Sequence, residues 1–215
     1  QGVSSAASDV YKRQILTCIL TPIVRHVALQ KGFVDCPQRA RKVHHQATPR
    51  LGGAAILLSF LSVMCLGGFS VPQIREMMWG NNPIIGSILI GSIGIFAIGF
   101  LDDLARLSSK TKLFGEFLIA GFVVWGAELT FSTVQFLGLG SIDFPAWVAF
   151  GFACLWIVGM ANAINLIDGL DGLASGITVA GLLAVSLVGY LAGITSVTWM
   201  STLLIGCLLG FLVYN

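Results

Sequence analysis

Long apolar runs recur along this chain, and no other feature restricts its fold so strongly. Ala146–Met160 is an unbroken example, without one charged side chain. A helix crosses the hydrocarbon core of a bilayer with about 20 predominantly apolar residues, because all its backbone polar groups pair inside the segment. Segments 15–30, 51–69, 83–101, 113–131, 144–162, 173–192 and 197–214 approach that description, the first of them cut short. Only 10% of the residues are charged and 56% are hydrophobic, whereas soluble domains carry about 25% charged residues. The alternating strands of a membrane barrel are missing. The expected fold class is all-α integral membrane, a multi-span transmembrane helical bundle of about seven spans.

The start of the chain reads differently. "SSAASDVYKRQ" is unlike the apolar segments after it, and its end resembles the translation of a transposon end used in preparing sequencing libraries. Residues 1–14 are expected to be non-native, leaving 15–215 as one membrane-embedded domain. Cys18, Cys36, Cys65, Cys154 and Cys207 form no C-x-x-C pair, so neither a zinc site nor a disulfide framework is expected. Gly206 with Gly210, and Gly189 with Gly193, form G-x-x-x-G pairs, a pattern of close helix packing in lipid.

Basic residues orient the spans, since cytoplasmic loops hold the excess of Lys and Arg. The 31–50 and 102–112 links carry Lys31, Arg39, Arg41, Lys42, Arg50, Arg106, Lys110 and Lys112, against Arg75 alone in 70–82 and 132–143. The 31–50, 102–112 and 163–172 links are therefore expected on the cytoplasmic face.

The polar chemistry collects in those same links. "NAINLIDGLDGLASG" places Asn162, Asn165, Asp168 and Asp171 three residues apart. Each three-residue step turns about 300° on an α-helix, so the four fan across half the circumference. They meet one ligand only if the helix breaks, and Gly169 and Gly172 offer the place. A helix ending near Asp168, then a turn swinging Asp171 inward, is the expectation; helix capping and solvated loop carboxylates are the plainer one. Asp102 and Asp103 are adjacent at the end of a span and repel unless a cation lies close. Arg106, Lys112 and Mg²⁺ are the candidates, a solvated helix end the alternative. Segment 35–53 brings Arg39, Arg41, Lys42, His44, His45 and Arg50, either as an anchor to anionic lipid or as a grip on an anion. Bases, carboxylates and amides at one membrane surface suit a polyanionic, partly lipidic substrate. A pyrophosphate handled with Mg²⁺ fits, because the cation offsets the charge that blocks anionic attack.

Three ordered motifs, "DCPQRARKVHHQATPRLGG", "GFLDDLARLSSKTKLFGE" and "NAINLIDGLDGLASG", resemble those of the polyprenyl-phosphate N-acetylhexosamine-1-phosphate transferases. The final "GFLVYN" is similar to the family as well. The resemblance implies that undecaprenyl phosphate attacks a UDP-N-acetylhexosamine, giving undecaprenyl-diphosphate-sugar and UMP. It implies Mg²⁺ as cofactor, with Mn²⁺ as a substitute. It implies that Asp102 and Asp103 activate the lipid phosphate or hold the metal, that Asn165 is a metal ligand, and that Asp168 and Asp171 lie near the nucleotide and reaction centre. Lys112 matches a base placed on phosphate. Asn162, Arg106, Arg41, Lys42, His44 and Arg50 complete the expected substrate contacts. The implied location is the bacterial cytoplasmic membrane, with the site on the cytoplasmic face. Membrane lipid is a partner, nucleic acid is not, and a homodimer is compatible.

Within the family, Arg50-Leu51-Gly52-Gly53 looks like the N-acetylglucosamine branch, which serves O-antigen, enterobacterial common antigen or teichoic acid synthesis. The phospho-N-acetylmuramoyl-pentapeptide branch typically shows Thr-Met-Gly-Gly there. The extra residue in "CPQRARK" leaves Arg39 and Arg41 as alternative equivalents of one base. The family's later Asp-containing and His-rich loops have no counterpart before Asn215, so the chain is expected to be a piece that does not turn over by itself. An ion-coupled transporter and an inactive membrane scaffold are the readings from other classes; the transporter asks for charges at the bilayer midplane, whereas these collect in loops.

Overall fold

The computed structural model describes residues 34–35, 48–49, 52–70, 72–80, 83–129, 132–136, 140–169 and 172–213. In chain order the elements are β1 (Val34–Asp35), β2 (Thr48–Pro49), α1 (Gly52–Ser70), α2 (Pro72–Trp79), α3 (Pro83–Ala105), α4 (Ser109–Gly126), β3 (Thr133–Phe136), β4 (Gly140–Asp143), α5 (Ala146–Ile167), α6 (Leu173–Leu191) and α7 (Thr195–Leu212). Among the described residues α1, α3, α5, α6 and α7 are long and apolar enough to cross a membrane. The architecture is the expected all-α integral membrane type. The span expected at 15–30 lies outside the described residues, as do residues 1–14.

The span expected at 113–131 is displaced. Its helix runs Ser109–Gly126 and carries Lys110, Lys112 and Glu116, so it is not among the five. Ser108 sets its start, its hydroxyl accepting from the Thr111 amide at 3.2 Å, which satisfies one orphan donor of the first turn. Two links read as plain also hold structure. Pro72 opens the short α2, where its missing N–H costs nothing. β3 and β4 pair antiparallel from Thr133↔Asp143 to Phe136↔Gly140.

The chain divides into two compact units, residues 1–75 with 168–215, and Glu76–Ile167. In the second unit α4 packs on both α3 and α5. Its contact with α3 depends on glycine: a Cβ on Gly94 would stand 2.4 Å from Ile119 Cδ1, and one on Gly91 2.3 Å from Val123 Cγ2. Its contact with α5 is an apolar seam of Ala120 and Val124 against Ala153, Cys154 and Val158, with Ile157 beside them. Outward faces are apolar too, with Phe114, Leu118, Trp125, Trp147 and Trp156 exposed, as lipid-facing positions should be.

In the first unit α6 and α7 form an antiparallel hairpin turned at Gly193, whose φ is 70°, a conformation glycine enters without a Cβ penalty. α1 packs on α7, and a Cβ on Gly52 would meet the Phe211 ring at 2.9 Å. Arg75 closes α1, its Nη2 donating to Phe69 O at 2.7 Å and its Nε to Gly68 O at 3.2 Å. These carbonyls have no partner inside the helix. β1 and β2 pair antiparallel, Val34↔Pro49 and Asp35↔Thr48.

Candidate functional site

The site builds up from α4 in the second unit. Lys112 and Glu116 are four residues apart on it and so share a face. Lys112 Nζ donates to Asp102 Oδ2 of α3 at 3.0 Å, and both side chains are part-buried. One turn further in, Glu116 is 5% exposed and accepts a hydrogen bond from Asn162 Nδ2 of α5. The same Nδ2 donates to Val158 O at 2.9 Å, using its second hydrogen. One face of α4 therefore grips the acidic motif of α3 with its lysine and the Asn/Asp motif of α5 with its glutamate.

This geometry separates the members of the Asp102-Asp103 pair. Adjacent side chains on an α-helix point about 100° apart, and Asp102 is the member bonded to Lys112. Of the two cations expected to relieve the pair, Lys112 is the one bonded to Asp102. Arg106 is exposed and ends α3 with φ 49°. Its amide donates to Asp102 O at 2.8 Å, the single backbone bond of a left-handed helix terminus. An arginine in that conformation costs about 1–2 kcal/mol relative to right-handed backbone.

Asn162, expected among the substrate contacts, gives both amide hydrogens to protein acceptors. Asn165 is exposed one turn later on α5. α5 ends at Ile167, matching the expected break, and Asp168 is exposed at the start of the following turn in the first unit. Gly172 supplies the left-handed residue, φ 71°, from which α6 departs. A Cβ there would press on Leu212 Cδ2 at 3.1 Å. Asp171, Arg41, Lys42, His44 and Arg50 lie outside the described residues.

Glu116 was given no role by sequence reasoning, although it belongs to the motif ending "KLFGE". The signal available was its four-residue spacing from Lys112; what that face meets is a tertiary fact. The metal question rests on the donor set. Asp102, Asp103 and Asn165 offer carboxylate and amide oxygens, the hard donors Mg²⁺ takes. Among the described residues no three His, Cys, Asp or Glu side chains gather to cage an ion. Mg²⁺ is commonly held by one or two carboxylates, waters and substrate phosphates.

The model of glycosyl transferase family 4 matches residues 85–215, more than half of the chain. A Bacillus subtilis protein named "Probable undecaprenyl-phosphate N-acetylglucosaminyl 1-phosphate transferase" is 37% identical over 92% of the chain and 52% of its own length. A Staphylococcus saprophyticus "Phospho-N-acetylmuramoyl-pentapeptide-transferase" is 30% identical over 94% of the chain and 65% of its own length, and a Staphylococcus aureus protein of that name matches equally. The chain thus spans between half and two thirds of the length of these relatives. The motifs and these matches agree: the chain belongs to glycosyl transferase family 4.

Proposed function

We propose that this chain is part of an enzyme that transfers N-acetylglucosamine 1-phosphate from UDP-N-acetylglucosamine to undecaprenyl phosphate. The observation carrying the reading is the part-buried Lys112–Asp102 pair at the N-terminus of a helix with no acidic residue in its first turn. Lys110, Lys112 and the positive end of the helix concentrate positive potential where a phosphate can settle. The printed name of the Bacillus relative supports the choice of substrates.

In the reaction, a lipid phosphate oxygen attacks the β-phosphorus of the UDP-sugar. A new P–O bond forms, the bond from that phosphorus to the bridging oxygen breaks, and its electron pair leaves with UMP. A phosphate monoester has its second pKa near 6, so the attacking group is largely a dianion at neutral pH. The protein's task is then chiefly positioning and charge compensation. Lys112, aligned by Asp102, meets a phosphate. Arg106, Arg41, Lys42, His44 and Arg50 add cationic and hydrogen-bonding contacts to the polyanion. Asp103, Asn165 and, through its second oxygen, Asp102 are the ligands we assign to Mg²⁺, which when bound supplies positive charge against the phosphate oxygens. Asp168 and Asp171 are the acidic groups assigned to the nucleotide side.

We place these loops on the cytoplasmic face of a bacterial inner membrane. Cysteines at positions 45, 108 and 170, in a background lacking native Cys, should react with an impermeant reagent only after permeabilisation. Labelling of intact cells at any of the three sinks the orientation. The activity is tested with the chain completed by the C-terminal part of the Bacillus relative. Purified protein is given undecaprenyl phosphate, Mg²⁺ and either UDP-N-acetylglucosamine or UDP-N-acetylmuramoyl-pentapeptide. UMP release and lipid-linked sugar with the first donor are expected. Turnover with the second donor alone would move the chain to the other branch, which the Staphylococcus relatives represent; turnover with neither would overturn the reading.

A further inference from the structure

We propose that Glu116 is a positioning residue, whose carboxylate holds Asn162 and thereby fixes the rotation and register of the end of α5 that carries Asn165. The proposal rests on the transferase reading for its effect on turnover, and on geometry for everything else.

Among the described residues Glu116 is the one charged side chain that is fully enclosed. It heads the line Glu116, Ala120, Val124, which faces Val158, Cys154 and Ala153 of α5. An apolar seam of small and β-branched side chains is tolerant of sliding, because one methyl group packs much like the next. A carboxylate is not. It only accepts hydrogen bonds, and the interior of its own helix has no spare N–H to give, so it needs a donor from outside. Asn162 is that donor, and its second hydrogen on Val158 O ties the amide to its own helix. A single enclosed polar pair within an apolar interface is a known device for setting register. A carboxylate enclosed in an apolar interface is expensive unless it is hydrogen-bonded.

The geometry explains where this matters. Asn162 and Asn165 are three residues apart, about 60° apart in azimuth, so the bond that fixes the first aims the second. Lys112 lies one turn from Glu116 on the same face and is bonded to Asp102. Two polar bonds on one face of α4 thus set both flanking helices relative to it. Nothing in an aliphatic residue at position 116 would do this, although it would fill the seam.

The test compares Glu116→Gln with Glu116→Leu in the completed chain. Glutamine keeps the shape and an acceptor oxygen for Asn162; leucine keeps the volume only. Two readouts are taken. The first is a spin label at Asn165→Cys in a background lacking native Cys, which needs no turnover. The leucine variant should mobilise the label, while the glutamine variant should leave its spectrum like the parent's. The second is steady-state transfer. The leucine variant should lower kcat about 10-fold or more with KM for the UDP-sugar changed much less, a loss of the kind misplacement produces, and glutamine should restore kcat to within about 3-fold. An unchanged label spectrum in the leucine variant overturns the positioning role. A glutamine variant as inactive as leucine also overturns it, because then the charge itself is used. If the parent shows no transfer, the functional reading fails while the label still decides the role of Glu116.

Discussion

The α4–α5 seam and the α6–α7 hairpin treat their polar groups in opposite ways. In the α6–α7 hairpin several hydroxyl side chains bond back to their own helix. Thr178 donates to Ala174 O, Ser201 to Val197 O and Thr202 to Thr198 O, at 2.7 to 2.8 Å. One hydroxyl contact crosses between the helices, Ser186 Oγ with Thr202 Oγ1 at 3.2 Å. A hydroxyl always finds a carbonyl four residues back, so it imposes little on its neighbour. Glu116 has no such refuge and must recruit Asn162 from α5. Self-satisfied polar groups make an interface that only packs; an acceptor that its own helix cannot satisfy makes one that aims.

The comparison breaks most sharply through turnover. Lys112→Met and Asp103→Asn, and equally Asp168→Asn and Asp171→Asn, should each lower kcat about 10²–10³-fold in the completed chain, the usual loss for one charge-stabilising group. Thr202→Val should leave kcat unchanged. Equal losses in both seams would erase the distinction. Next in size is Gly189→Leu. A Cβ there already stands 3.0 Å from Thr198 Oγ1 and 3.2 Å from its backbone nitrogen. Overpacking should destabilise the hairpin by about 1–3 kcal/mol, read as thermal unfolding in detergent, with turnover per folded molecule retained. Arg106→Gly should stabilise the α3–α4 turn by about 1 kcal/mol, since it relieves the left-handed backbone, and raise KM for the UDP-sugar. A stability gain with unchanged KM removes the guanidinium from the substrate contacts. Smallest is Ser186→Ala, where a hydrogen bond between helices in a membrane averages about 0.6 kcal/mol. A loss several times larger would mean that the α6–α7 seam aims as well.

Much of this was legible in the sequence for identifiable reasons. Apolar runs marked α1, α3, α5, α6 and α7 to within a few residues, since membrane spans need only length and apolarity. Gly172 signalled the break after α5, because four polar residues at three-residue spacing cannot converge on an intact helix. Lys112 stood among the cations for the Asp102-Asp103 pair, and proximity along the chain made it so. The start of α4 was misread because Lys110 and Lys112 look like loop residues until Ser108 is recognised as a cap. The β3–β4 hairpin was missed although "TVQF" alternates and the glycines of "GLGSID" begin one residue after it, the ordinary sign of a turn between strands. Glu116 could not be assigned from sequence at all. Helical spacing says which residues share its face, while only the packing of α4 on α5 says that this face meets Asn162.

The length of α4 has a consequence for the lipid around it. Its 18 residues span about 27 Å, and Glu116 lies about 10 Å in from its N-terminus. On its outward side Leu113, Phe114, Leu118, Phe122 and Trp125 are exposed. From Leu113 to Trp125 this apolar face runs about 18 Å, shorter than the roughly 30 Å of an average hydrocarbon core. A bilayer meets such mismatch by thinning locally, at a modest cost per ångström. Thinning beside α4 would bring headgroup phosphates close to Lys112.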